Sequence, residues 1–220
     1  MKRILSVQEL KQSPWPGRFT ETFGANLVSA FLYGDCLEEG FSALERPWTV
    51  AFILKDASAT EVDKLKSWSK KALREGVEFS YVFSSAEVLS NLETFPLEFL
   101  EMSRRNQVLC GIAPLEGFSP NREALAAQCL REWNAFLFRR RLDAKPNATD
   151  YLPDLSPLLS GIYYLKCGNY PENRRQVIDA FPEIMTTENP LDSLQNAITK
   201  TMRLFPAALI PKTYYLTPNP

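Results

Sequence analysis

The 220-residue sequence contains no histidine. That absence removes the commonest general base, the usual partner of a serine or cysteine nucleophile, and the commonest metal ligand. Cysteine is scarce as well. Cys36, Cys110, Cys129 and Cys167 are widely spaced and form no CxxC pair, so no zinc site is expected. No run of about 18 apolar residues occurs, so no membrane-spanning helix and no membrane partner are predicted. The opening MKRILSVQELKQSPWPG carries two positive side chains with no apolar stretch behind them. It predicts no secretory leader, and a cytoplasmic setting with reduced thiols is the expectation. There is no GxxxxGK[ST], no GxGxxG and no GxSxG, which sets aside the common phosphate loops and the serine elbow. Ser84-Ser85 has no histidine to activate it. Nor is there a surplus of one charge: 25 basic and 26 acidic residues leave a net −1. Nothing in that balance draws the chain to nucleic acid.

What is present is an ordinary folding composition, 45% hydrophobic and 23% charged, which argues against disorder as the main state. The first half alternates helical and strand-like segments. Gly17 to Asn26 carries Phe19 and Phe23 at helical spacing. Leu27 to Tyr33 (LVSAFLY) is a compact apolar run closed by Gly34, and Trp48 to Leu54 (WTVAFIL) is the clearest buried strand. Ala59 to Arg74 predicts a helix with Val62, Leu65, Trp68, Ala72 and Leu73 on its apolar face and Lys64, Lys66, Lys70 and Lys71 largely in solvent. Ser58 or Thr60 is placed to cap it. Val77 to Phe83 alternates as a half-buried strand does. Pro96 to Met102 and Gln107 to Ile112 read as further short strands, with helix as the alternative for the former.

The second half is helical. Asn121 to Leu142 sets Leu125, Cys129, Trp133, Phe136 and Leu137 in one stripe, and its end carries Arg139, Arg140 and Arg141, as the helix dipole favours. Cys129 reads as core filler and Trp133 as an anchor. A polar loop at Lys145 to Pro153 precedes helical segments at Leu155 to Leu165 and Arg174 to Phe181. Leu191, Leu194, Ile198, Met202 and Phe205 mark another helix, before an extended tail. The expected fold is α+β: an α/β domain over 1–119 and a helical domain over 120–220.

The first half resembles the nucleotidyltransferase superfamily, which includes DNA polymerase β and kanamycin nucleotidyltransferase. The features that carry the resemblance are a buried strand ending in glycine (Phe31-Leu32-Tyr33-Gly34), a loop of about a dozen residues and the second apolar strand at Trp48. A crossover helix, more strands and a helical second half follow. The resemblance implies a first-strand end, Gly-Ser or Gly-Gly, that approaches nucleotide phosphates. It implies a second strand that opens with Asp-x-Asp or Asp-x-Glu, and a third carboxylate on a later strand. Two Mg2+ ions on such acids hold the triphosphate and help ionise the attacking hydroxyl.

This sequence departs from that pattern where the chemistry sits. Gly34 is followed by Asp35. The acidic pair falls at Arg46-Pro47-Trp48-Thr49, which holds no carboxylate, and Arg46 brings the opposite charge. Glu98, in PLEFLEM, corresponds to the third acid. Asp35, Glu38, Glu39 and Glu45 crowd the loop after the first strand. The expectation is a non-catalytic binding or regulatory module without a cofactor. Gly34 and Arg46 would be its nucleotide contacts, and a protein partner is the other candidate. The alternative is an active, Mg2+-dependent nucleotidyltransferase whose carboxylates are Asp35, Glu45 and Glu98.

Overall fold

The computed structural model describes residues 3–140, 152–182 and 190–205. In chain order the helices are α1 (Val7–Gln12), α2 (Pro14–Phe23), α3 (Ala59–Arg74), α4 (Ser85–Asn91), α5 (Pro96–Arg104), α6 (Arg122–Arg140), α7 (Leu152–Cys167), α8 (Arg174–Ala180) and α9 (Pro190–Met202). The strands are β1 (Leu27–Tyr33), β2 (Trp48–Leu54), β3 (Val77–Ser84) and β4 (Asn106–Gly111). Two compact units result, Met1–Leu92 with Glu98–Ser119, and Glu93–Leu97 with Pro120–Pro220. Among the described residues no helix is long and apolar enough to cross a membrane. The predicted loop at Lys145 to Pro153 lies largely outside the described residues, and the tail after Phe205 lies wholly outside them.

The first unit is built on a mixed sheet of order β3-β2-β1-β4. β1 runs antiparallel to β2 and to β4, while β2 and β3 are parallel. The parallel pair needs a crossover, and α3 supplies it. β2 is buried along nearly its whole length because both faces are covered. Trp48, Val50, Phe52 and Leu54 enter one core with Trp15, Phe19 and Phe23. Ala51 and Ile53 enter the other, with Phe31, Phe99 and Met102.

Local sequence explains the covering helices. Ser13 accepts the Trp15 amide at the start of α2 and Pro14 fixes its first turn, as a capped N-terminus requires. Phe19 then meets Phe52 edge-on, with centroids 4.9 Å apart. α3 buries Leu65 and Ala72 as expected, but Leu73 is 55% exposed; it lies on the flank of a stripe narrower than the sequence implied. Ser58 occupies the cap position of α3 without a side-chain bond. Ser84, without a histidine to serve, caps α4 instead. Its hydroxyl accepts the Glu87 amide while the Glu87 carboxylate accepts its own amide, a capping box.

The segment at Pro96 is a correction. It is a helix, α5, and not the strand that its apolar residues imply. Proline at the first position, Glu98 in the first turn and Arg104 in the last all favour helix. The buried side chains Leu97, Phe99, Leu100, Glu101 and Met102 lie all round the helix, as they could not on one side of a strand.

In the second unit the stripe on α6 is core: Leu125, Cys129 and Trp133 are fully buried. Trp133 stacks on Phe136 at 5.7 Å and donates its indole N–H to Gln195 on α9. α7 comes close to α6 at Gly161, where a β-carbon would lie 3.1 Å from Cys129 Sγ and 2.4 Å from Leu97 Cδ1. An alanine there would force the Leu97 side chain to shift.

Candidate functional site

β1 ends at Tyr33, and the chain turns sharply at Gly34, whose φ of +74° lies in the left-handed region that glycine adopts without strain. A short 3₁₀ turn over Gly34–Leu37 follows. Its residues and the last turns of α5 form one cluster. The Gly34 amide donates to the Arg105 carbonyl at 3.3 Å. A β-carbon on Gly34 would meet Glu101 Oε1 at 3.6 Å. Thus both the amide and the open side of this glycine are already occupied by α5 and the residue that follows it.

Glu101 is the most unusual group in the cluster. It is 8% exposed, and its Oε1 has no hydrogen-bond partner. Burial pushes its pKa up to about 7. The negative charges of Asp35, Glu38 and Glu98 add to that rise, and Arg105 opposes it. The same burial raises the phenols of Tyr33 and Tyr81. The charges of Glu98 and Glu101 also contribute to raising Tyr81. Cys36, buried behind the turn, is pushed up to about 11 by desolvation and is not a poised nucleophile.

Two arginines meet the acids. Arg105 pairs with Glu38, both nearly buried. Arg46 stands 3.7 Å from Asp35 across a more exposed gap, with its guanidinium over the Phe41 ring. Of the residues singled out in the sequence, Gly34, Asp35, Glu38 and Arg46 therefore meet here, and Glu98 acts on Glu101 through its charge. Glu45 is exposed on the turn before β2. The residue that sequence reasoning missed is Glu101. A strand would put positions 98 and 101 on opposite faces, whereas a helix puts them on adjacent turns of one face.

The family's acidic pair would stand at the start of β2. Strand alternation fixes which side chains share a face there. Trp48 and Val50 enter the core under α2, so Pro47 and Thr49 share the parity of Ala51, on the Tyr33 side. Neither is a carboxylate. Trp48 is buried, its indole N–H bonded to the Ile4 carbonyl at 3.0 Å.

No protein-family model matches the chain, and no curated protein does either. Among solved structures, the chain is similar to spectinomycin adenyltransferase AAD(9) from Enterococcus faecialis, solved with ATP and spectinomycin. The match covers 91% of this chain and 96% of that one, with a TM-score of 0.51 and 9% sequence identity. The fold is nucleotidyltransferase-like.

A nucleotidyltransferase fold brings the expectation of divalent metal at this turn, and the residues present do not fit it. A hard cation needs several carboxylate oxygens directed at one point. Pro47 and Thr49 offer none at the strand, Asp35 faces Arg46, and Glu38 is held by Arg105. Among the described residues no three His, Cys, Asp or Glu side chains are arranged to hold a metal ion.

Proposed function

We propose that this chain is a binding module on a nucleotidyltransferase-like fold that does not transfer nucleotides. The observation that carries the reading is the face of β2 beside Gly34, where Pro47 and Thr49 stand in place of an acidic pair. Without those oxygens the triphosphate has no metal bridge and the attacking hydroxyl has no metal to ionise it. The second reading, an active enzyme, has one observation in its favour: the charges of Asp35, Glu38 and Glu98 all act on Glu101. Against it, Arg46 and Arg105 lie among these acids, and a guanidinium repels a divalent metal ion by roughly 8 kcal/mol at about 4 Å near a surface.

The Glu101 carboxyl beside Gly34 also opposes a phosphate at the turn itself. Arg46 is the group suited to pair with one from the outer side, since guanidinium binds phosphate oxygens directly. A thermal-shift titration with the nucleoside triphosphates, with and without Mg2+, tests this reading. The expected result is no Mg2+-dependent stabilisation, and loss of any metal-free shift in Arg46→Ala. Stabilisation that requires Mg2+ would overturn it.

A further inference from the structure

Arg46 is positioned by its backbone and by ring packing. Its amide donates to the Ser42 carbonyl at 3.0 Å, which closes one turn of chain just before β2. Its guanidinium lies over the Phe41 ring at 5.3 Å. Phe41 packs on Trp48, with centroids 4.7 Å apart, and Trp48 is buried. Stacking on a ring leaves the N–H edges of a guanidinium open and limits how far the side chain swings. Among the described residues those N–H groups make no hydrogen bond, and the side chain is 47% exposed. Arg105, the other arginine at this turn, is nearly buried and bonded to Glu38. An anion arriving from solvent therefore meets Arg46.

One carboxylate already stands there. Asp35 Oδ2 lies 3.7 Å from Arg46 Nη1, beyond hydrogen-bond length. Asp35 belongs to the 3₁₀ turn Gly34–Leu37, and its Oδ1 is buried, so Oδ2 is presented to the arginine from a fixed base. The Asp35 charge also acts on Glu101 and Cys36. An ion pair this exposed is weak, but it is intramolecular. A tethered group acts at an effective concentration on the order of millimolar, which an anion in solution has to outmatch. Asp35 also repels any anion at the arginine, and a more highly charged one more strongly.

We propose that Asp35 is an autoinhibitory carboxylate: it occupies the anion position of Arg46 in the free protein, and a phosphate group binds there by exchange with it. The two anions compete for one guanidinium, whose place is kept by Phe41 in both states. This deepens the reading of Arg46 as a metal-free phosphate contact and rests on it.

Calorimetric titration with sodium tripolyphosphate tests the proposal, in EDTA, at low ionic strength and at pH 8, above the Glu101 pKa of about 7. Asp35→Asn keeps the shape of the side chain and removes its charge. It should bind tripolyphosphate at least about threefold tighter than wild type. Asp35→Ser, which removes both charge and reach, should shift affinity in the same direction. Adding Arg46→Ala to either variant should abolish the gain. Equal affinity of wild type and both Asp35 variants, with Arg46→Ala weakening it, overturns the proposal and leaves Arg46 as the phosphate contact. A gain that survives Arg46→Ala is a general effect of charge and overturns it as well. Absence of binding in wild type and variants alike removes the phosphate contact at Arg46, and the proposal falls with it.

Discussion

Glu101 presses its carboxyl against the backbone of Gly34, so that a side chain begun at that glycine would start 3.6 Å from Oε1. An α5 helix side chain thus fills the position beside the first strand's terminal glycine. Most of the chemistry of the site follows from that contact, because it seals an acid from water and leaves one oxygen without a donor.

The first consequence is a pH-dependent stability. The pKa of Glu101 rises from 4.5 to about 7 in the folded chain. The folded state therefore binds this proton more tightly than the unfolded state does. The associated stability is fully present below about pH 4.5 and is lost as pH rises through about 7. At about 1.36 kcal/mol per unit, the loss is on the order of 3 kcal/mol. Glu101→Gln is uncharged at every pH. In urea melts it should flatten this component of the stability profile and stabilise the protein at pH 8. A variant less stable than wild type at pH 8, with the slope unchanged, would show that Glu101 is not the titrating group.

Arg105 should be the costliest charge to remove. Its ion pair with Glu38 is about nine-tenths buried on both sides, and removing one partner of a buried pair costs about 3–5 kcal/mol. Arg105→Ala also removes a positive charge that lowers the Glu101 pKa, so the midpoint of the pH profile should move up. By contrast Arg46→Ala, at a half-exposed pair, should change stability by at most about 1 kcal/mol. Equal losses in the two variants would contradict this ranking. Equilibrium denaturation of both at pH 7 decides it.

Trp133 anchors the helical unit. It is fully buried, stacked on Phe136 and bonded to Gln195. Trp133→Ala should cost about 3–5 kcal/mol. Trp133→Phe, which keeps the ring and loses only the indole donor, should cost less. Losses under about 1 kcal/mol for the alanine variant would mean that the α6 stripe is not core.

Much of this architecture was legible in the sequence because burial is periodic. β1, β2 and β3 stood out as compact or alternating apolar runs, and α6 as a continuous stripe through Trp133. PLEFLEM implied a strand because it alternates over its first residues, which masked the local helix signals of its proline and charged ends. That misreading hid Glu101. Read as a strand, the segment points residue 101 away from residue 98; read as a helix, it stacks them. α4 was also invisible, being seven residues long and specified mainly by the Ser84–Glu87 capping box. The acids near Gly34 were apparent as a cluster, but their pairing with Arg46 and Arg105 arises from tertiary contacts across as many as 67 positions, beyond any local pattern.

Pure protein incubated with each labelled nucleoside triphosphate, Mg2+ or Mn2+, and a panel of protein, RNA and aminoglycoside acceptors should transfer no label to any of them. The expectation follows from Pro47 and Thr49 at the strand positions beside Gly34 and from the arginines Arg46 and Arg105 among its acids. Metal-dependent transfer of label that disappears in Asp35→Asn or Glu98→Gln would contradict the account and make those carboxylates catalytic.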